Sequence, residues 1–168
     1  MTGAMNRIEV LAFDPGQTTG WCYMAMPKGL LRLTGVEDLD DWVYGEIDCL
    51  DENSGAMSML ELVGQYPNAA LIVENFIADH RMDKAKHTLS PVRMTAAFSY
   101  ALWRDFPGKR FSYQSASQAK TTCTDDRLKL WELYDRFSGP HARDATRHAF
   151  LYLRVQRGKE REKGEALD

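Results

Sequence analysis

Long apolar runs and paired cysteines are both missing from this sequence of 168 residues. The longest apolar runs, such as Ala69 to Val73, fall far short of the roughly 20 residues that span a bilayer. The amino-terminal residues show no signal-peptide pattern. Cys22, Cys49 and Cys123 are widely spaced and form no Cys-x-x-Cys pair, which argues against a disulfide framework and against a zinc knuckle. We therefore expect reduced thiols in a soluble, cytoplasmic protein.

The sequence also lacks the strong positive charge of proteins that coat nucleic acid, since its net charge is −3 and its pI is about 5.8. Between residues 80 and 120, however, eight lysines and arginines stand against two aspartates, which gives this segment a net charge of +6 and leaves −9 for the rest. Such a polarised molecule is able to follow a phosphate backbone with its basic segment. A merely solvated surface explains the same charge run equally well.

The length and the 44% hydrophobic content fit one compact domain, which we place at residues 1–157, before a charged and flexible tail at 158–168. Strands are predicted at 8–13, 20–25, 42–47, 70–76 and 109–114, with a turn at Asp14-Pro15-Gly16 after the first. Helices are predicted after a cap at Ser54, from Pro91 to about Trp103, from Asp125 to about Phe137, and from residues 138–140 onward. A long loop covers 77–90. This order indicates an α/β fold with a mixed central sheet flanked by helices.

Three carboxylates stand where a charge is costly unless something binds it. Asp14 ends a buried strand, Glu74 interrupts an apolar central strand, and Asp144 lies on the last helix one turn after His141. Positions 141, 144, 148, 151 and 155 share one helix face, and its second half is apolar, so we expect that face to pack on the sheet. A divalent cation would compensate the acids that this packing brings together.

Each of these residues has a simpler explanation when taken alone. Asp14 fits an Asp-Pro-Gly turn, Glu74 fits a strand-end carboxylate that reaches solvent, His141 fits a helix start, and Asp144 fits the favourable end of a helix dipole. Their combined order makes a common site the better hypothesis.

The order also resembles a known family. Strand-Asp14-Pro15-Gly16-x-x-Thr19-Gly20-Trp21, then Ile72-Val73-Glu74-Asn75-Phe76, then His141-x-x-Asp144-Ala145, is similar to the RuvC-type Holliday junction resolvases, including their compact bacteriophage versions. The resemblance covers nearly the whole chain, and it is strongest at the first motif and weakest in the middle.

The resemblance implies an RNase H-like fold and two Mg²⁺ or Mn²⁺ ions in the active site. Asp14 would bridge both ions, Glu74 and Asp144 would each bind one, and His141 would complete the second. The implied activity is hydrolysis of branched DNA, either Holliday junctions or flaps and forks, that leaves 5′-phosphate ends. The implied assembly is a homodimer in the cytoplasm of a bacterium or a phage-infected bacterium.

Further candidates are individually weaker. Lys120 would neutralise the substrate phosphate, as a lysine in that region does in relatives, although a surface lysine is as good an explanation. His148 extends the ligand face, but a buried and hydrogen-bonded histidine is the simpler interpretation. Candidate DNA contacts are Phe76, Arg81, Lys84, Lys86, His87 and Arg93, with His80 as a further possibility, and core packing is the simpler explanation for Phe76.

Two other functions remain open at this point. An RNA-processing nuclease of the same fold would need the same ligands. A phosphate-binding, ATPase-like module begins with a similar Asp-x-Gly turn, but it uses two such domains, for which this chain is too short. An inactive binding module is less consistent with four intact ligands.

Overall fold

One five-stranded sheet organises the protein, and helices cover both of its faces. The computed structural model describes residues 6–76, 90–137 and 139–165. The strands are β1 (Arg7–Asp14), β2 (Thr18–Pro27), β3 (Asp41–Asp48), β4 (Ala70–Asn75) and β5 (Phe111–Ser115). The helices are α1 (Glu52–Gln65), α2 (Pro91–Asp105), α3 (Ala116–Thr122), α4 (Asp125–Leu130) and α5 (Pro140–Glu165), with short 3-10 turns at Val36–Asp38 and Tyr134–Arg136.

The sheet has the order β3-β2-β1-β4-β5, which confirms the mixed α/β sheet of an RNase H-like fold. β1, β2 and β3 form an antiparallel meander, while β4 and β5 run parallel to β1. Phe13 pairs with Val73, so the next residues, Asp14 and Glu74, come out at the same edge of the sheet. Glu74 is in turn the register partner of Gln114 on β5.

Alternating residues of β1 enter two separate cores, as expected for a strand that is covered on both faces. Leu11 and Phe13 pack beneath α1 and α2. Val10 and Ala12 pack beneath α5. The strand that carries Asp14 is therefore fixed from both sides.

Helix boundaries differ from the sequence prediction at three places. Asp51, not Ser54, caps α1: the Asp51 carboxylate accepts from the Ser54 N–H, and the Ser54 hydroxyl accepts from the Asp51 N–H. α3 was not predicted at all. The helix predicted from Asp125 to Phe137 ends at Leu130, because Glu132 adopts a left-handed φ of 56° that breaks the helical path.

The last helix also differs from its prediction. Its buried apolar residues are Ala142, Ala145, Ala149, Phe150 and Leu153, its buried polar residues are Thr146, Arg147 and His148, and the helix runs past residue 157 to Glu165. Leu151 and Val155, expected to pack on the sheet, line a groove beside α3 instead, and Val155 is 45% exposed. The predicted packing is therefore wrong for the apolar second half of the stripe, because α3 occupies that side of α5, whereas His148 of the same stripe is buried against β4 and β5. Within the described residues, no helix is long and apolar enough to cross a membrane.

Gly20 sets the distance between the sheet and the start of α5. A Cβ atom at this position would lie 2.1 Å from the carbonyl carbon and oxygen of His141. We predict that Gly20→Ala lowers the free energy of unfolding by more than about 2 kcal/mol, because the added methyl group would clash with backbone atoms, which cannot move aside as a flexible side chain can. Urea denaturation would measure the change. Gly16→Ala is the matched control, since its nearest contact is 3.4 Å away, and equal losses for the two variants would contradict this account.

Candidate active site

A cavity of about 660 Å³ opens at the sheet edge where β1 and β4 end and α5 begins. Asp14, Glu74, His141 and Asp144 all line it. The remaining lining residues are Pro15, Gly16, Gln17, Thr18, Asp48, Cys49, Phe76, Pro91 and Pro140. The four residues that the sequence analysis selected, which are far apart in the chain, thus face one common space.

The turn after β1 is fixed by a buried threonine. The Thr19 hydroxyl donates to the Gly16 carbonyl at 3.1 Å and accepts from the Gly16 N–H at 3.2 Å. Thr19 is fully buried. The turn therefore holds its shape through internal hydrogen bonds, which fix the backbone directly after Asp14.

The start of α5 is held by Glu46 of β3, a residue that the sequence analysis did not select. Its carboxylate accepts hydrogen bonds from the N–H groups of His141 at 2.9 Å and Ala142 at 3.0 Å. An acid at this position satisfies free N–H groups and suits the positive end of the helix dipole. Gly139 permits the approach, since a Cβ there would lie within 2.7 Å of the Glu46 carboxylate atoms.

Asp14 and His141 are joined by a hydrogen bond of 2.8 Å between Oδ2 and Nδ1. Burial raises the pKa of Asp14, and the charges of Glu74 and Asp144 raise it further, against the lowering effect of His141. The hydrogen bond to Asp14 raises the pKa of His141, with burial opposing it. The pair thus lies close to two further acids, Glu74 and Asp144, and a cation in this region would offset their combined charge.

Glu74 is held by His148. The His148 Nε2 lies 2.8 Å from Glu74 Oε2, and its Nδ1 lies 3.0 Å from Gln114 Oε1. His148 is completely buried, so it is a hydrogen-bonded core histidine, as the simpler interpretation held. Its contact with Glu74 also fixes the orientation of that carboxylate.

Two positively charged side chains contact the Asp144 carboxylate. Lys120 Nζ lies 3.0 Å from Asp144 Oδ2, and the guanidinium of Arg147 contacts Oδ1. Arg147 is 4% exposed and also contacts Asp125 and donates to the Cys123 carbonyl at 3.0 Å. The sequence analysis missed Arg147, although an arginine one turn after a helical aspartate is a recognisable pairing pattern.

The donor set of the cavity fits Mg²⁺ or Mn²⁺, because three carboxylates and one imidazole supply mainly oxygen ligands. Burial, followed by the charges of Glu74 and Asp144, raises the pKa of Asp14, so a cation bound beside this carboxylate would stabilise its charged form. Among the residues that the structure describes, no group of three or more His, Cys, Asp or Glu is already arranged to hold a metal ion. Asp14, Glu74 and Asp144 are each turned toward a protein partner instead.

The predicted DNA contacts have mixed outcomes. Phe76 is half-buried and lines the cavity beside Glu74, so it lies at the site rather than in the core. The Arg93 guanidinium is exposed but pairs with Glu52 of α1 at 2.7 Å. The remaining candidates lie outside the described residues and stay predictions: His80, Arg81, Lys84, Lys86 and His87.

We predict that Asp14→Asn makes the cation-free protein more stable at alkaline pH. The folded state raises the pKa of Asp14, so stability falls as the pH rises from the ordinary value of 3.8 through the raised value. His141 also has a raised pKa, so its contribution is complete below 6.5 and is lost as the pH rises through its raised value. The wild type therefore loses stability as the pH rises through the raised pKa values of Asp14 and His141. Asp14→Asn removes the first loss and weakens the second, because His141 no longer faces a charged partner at residue 14.

Urea unfolding in EDTA from about pH 5 to about pH 8 would measure the two stabilities. The stability of Asp14→Asn relative to the wild type should rise with pH. Curves that remain parallel across this range would contradict the assignment of a buried, poorly compensated charge to Asp14.

The fold is similar to that of RuvC. Two structures of RuvC from Thermus thermophilus, one in complex with a Holliday junction substrate, match 89% of this chain and 97% of theirs. Their TM-scores are 0.58 and 0.59, with sequence identities of 14% and 15%. The large terminase nuclease of thermophilic phage G20c matches 80% of this chain and 59% of its own, with a TM-score of 0.41 and 10% identity. No protein-family model and no curated protein matches the sequence. The chain has the RNase H-like fold, with the mixed five-stranded sheet that matches RuvC.

Proposed function

We propose that this protein is a metal-dependent endodeoxyribonuclease that cleaves branched DNA, with Holliday junctions as its preferred substrate. The observation that carries the proposal is the common cavity of Asp14, Glu74, His141 and Asp144 at the sheet edge. The similarity of the fold to RuvC supports the substrate class, since one of the matching structures holds a Holliday junction. The expected products carry 5′-phosphate and 3′-hydroxyl ends.

Asp14, Glu74, Asp144 and His141 would hold two divalent cations. Such ions supply an activated water and stabilise the leaving oxygen in phosphodiester hydrolysis. The residues around them have separate tasks. His148 keeps Glu74 turned toward the cavity, and Arg147 anchors Asp144 from the buried side.

Lys120 is suited to contact the scissile phosphate. Its side chain is about half exposed, and it reaches the cavity through its contact with Asp144. An ion bound at Asp144 would compete for the oxygen that Lys120 now contacts. A long, flexible lysine then has the reach to meet a phosphate oxygen nearby.

We also propose that the protein works as a homodimer through α2. This helix packs on its own sheet through Met94, Thr95, Phe98, Ala101 and Leu102. Its opposite side remains exposed and largely apolar, with Val92 at 52%, Tyr100 at 62% and Trp103 at 64% exposure. A stripe of this kind on an amphipathic helix is suited to a second copy, which would place two active sites on the opposed strands of a junction.

The central test is cleavage of matched four-way junction, 5′-flap and linear duplex DNA with Mg²⁺ or Mn²⁺. Wild type should make paired, symmetric nicks in the junction. Asp14→Asn and Asp144→Asn should each lose at least about 100-fold in rate, because each removes a charged ligand. Asp48→Asn, an acid that lines the same cavity but lies outside the ligand set, is the matched control and should retain most activity.

The alternatives give distinct outcomes in the same experiment. Cutting of flaps alone would keep the site and discard junction resolution. Cutting of a structured RNA but not of DNA would favour an RNA-processing nuclease. A folded wild type that cuts nothing, or variants that cut as fast as the wild type, would refute the proposed site.

The dimer is tested by sedimentation velocity at micromolar concentration. We predict that wild type sediments as a dimer and that Trp103→Glu sediments as a monomer, because a charge at an apolar interface loses its solvation. Leu130→Glu, at an even more exposed apolar position on α4, is the control and should leave the dimer intact. A monomeric wild type would contradict the assembly while leaving the catalytic proposal open to its own test.

A further inference from the structure

Three arginines surround a second cavity, of about 260 Å³, on the α4 and α5 side of the sheet. Arg127 comes from α4, and Arg154 and Arg157 come from successive turns of α5. The rest of the lining is Leu33, Thr34, Trp131 and Phe150. Among the residues that the structure describes, the lining therefore contains no carboxylate, in a protein whose net charge is −3.

Backbone carbonyls, rather than acids, orient these guanidinium groups. Arg127 and Arg154 both donate to the Thr122 carbonyl, at 2.5 Å and 3.4 Å, so their positive charges lie within a few ångström of each other. Arg157 donates to the Leu31 carbonyl at 3.1 Å, and its buried Nε has no hydrogen-bond partner within the described part of the chain.

The neighbouring acids have partners of their own or lie to one side. Asp38 and Glu37 accept hydrogen bonds from Thr34 of the lining. Asp125, at the start of α4, contacts Arg147. Glu160 lines the adjoining cavity together with Arg157 and Arg161, so the positive charge is least balanced at Arg127 and Arg154. Close like charges repel each other, and an anion between them would relieve that cost.

An aromatic surface completes the cavity. Trp131 is half-buried, its ring lies 4.8 Å from that of Phe150, and the Arg127 guanidinium stands 5.8 Å from the Trp131 ring centroid. Guanidinium groups bind phosphate oxygens through paired N–H donors, and aromatic rings support the sugar or base beside them. This chemistry is that of a nucleic-acid backbone contact.

We propose that this cavity binds phosphodiester groups of a DNA arm that extends away from the active site. The inference rests on the proposed function for the identity of the DNA, but not for the anion chemistry. Asp144 and Arg157 lie on the same helix, and thirteen residues at the helical rise separate them by roughly 20 Å. That distance corresponds to about six nucleotides of one strand, so an arm cut at the active site is long enough to reach the arginines.

The test measures DNA binding without cleavage, in an Asp14→Asn background. Fluorescence anisotropy would compare the background protein, a variant with Arg127→Gln and Arg154→Gln added, and Arg154→Gln alone. Arg104→Gln is the matched control, because that exposed arginine already pairs with Asp105. Thermal unfolding would establish that each protein is folded, and the exposed Arg154→Gln keeps the test valid if the double substitution unfolds the chain.

On junctions with long arms, the double substitution should weaken binding by about tenfold and reduce the slope of log affinity against log salt by about two, one for each lost phosphate contact. On hairpin-capped arms of about four base pairs, which do not reach the cavity, the difference should vanish. Arg104→Gln should change neither quantity.

Two results would overturn the proposal. The first is that the background protein binds junctions with long arms and the double substitution changes neither the affinity nor the salt slope. This result would leave the proposed nuclease function intact. The second is quenching of tryptophan fluorescence by inorganic phosphate that the Arg127→Gln and Arg154→Gln pair abolishes, with no effect of these substitutions on DNA binding, which would make the cavity a site for a free anion. A background protein that binds no DNA would instead count against both proposals.

Discussion

Burial of the Asp14 carboxylate beside two other acids at one edge of the sheet is the constraint on which the site depends. β1 and β4 run in parallel and are buried on both faces, so Asp14 and Glu74 emerge side by side, and α5 brings Asp144 to the same cavity. Burial and these neighbouring charges raise the pKa of Asp14. Under the proposed function, a divalent cation bound in this cavity would offset the cost of the buried charge.

The protein limits this cost with two consecutive buried residues of α5. Arg147 contacts Asp144, and His148 contacts Glu74 through Nε2 while Gln114 contacts its other ring nitrogen. These contacts orient carboxylates that would otherwise turn toward solvent. They resemble the outer contacts of metal sites in general, where partners of the ligands fix ligand geometry. The close approach of α5 to Gly20 then keeps both residues at a fixed depth.

Much of this arrangement follows from local patterns in the sequence. Buried strands that end in Asp14 or contain Glu74, and a helix that opens with His141 and Asp144, were sufficient to predict the mixed sheet and a common cavity. Glu46 escaped prediction because its role depends on the N–H groups of another element, α5, whereas the contact of Arg147 with Asp144 three residues earlier has a local signal that was overlooked. The early end of α4 was missed because a left-handed Glu132 has no distinctive sequence signal.

The most direct test of the account is the position of Mn²⁺ in crystals grown with that ion, located by its anomalous scattering. The account predicts manganese between Asp14, Glu74, Asp144 and His141, with the Asp14–His141 hydrogen bond and the Lys120–Asp144 contact both opened. Crystals that bind manganese elsewhere, or that show no manganese in this cavity while both contacts remain closed, would contradict it.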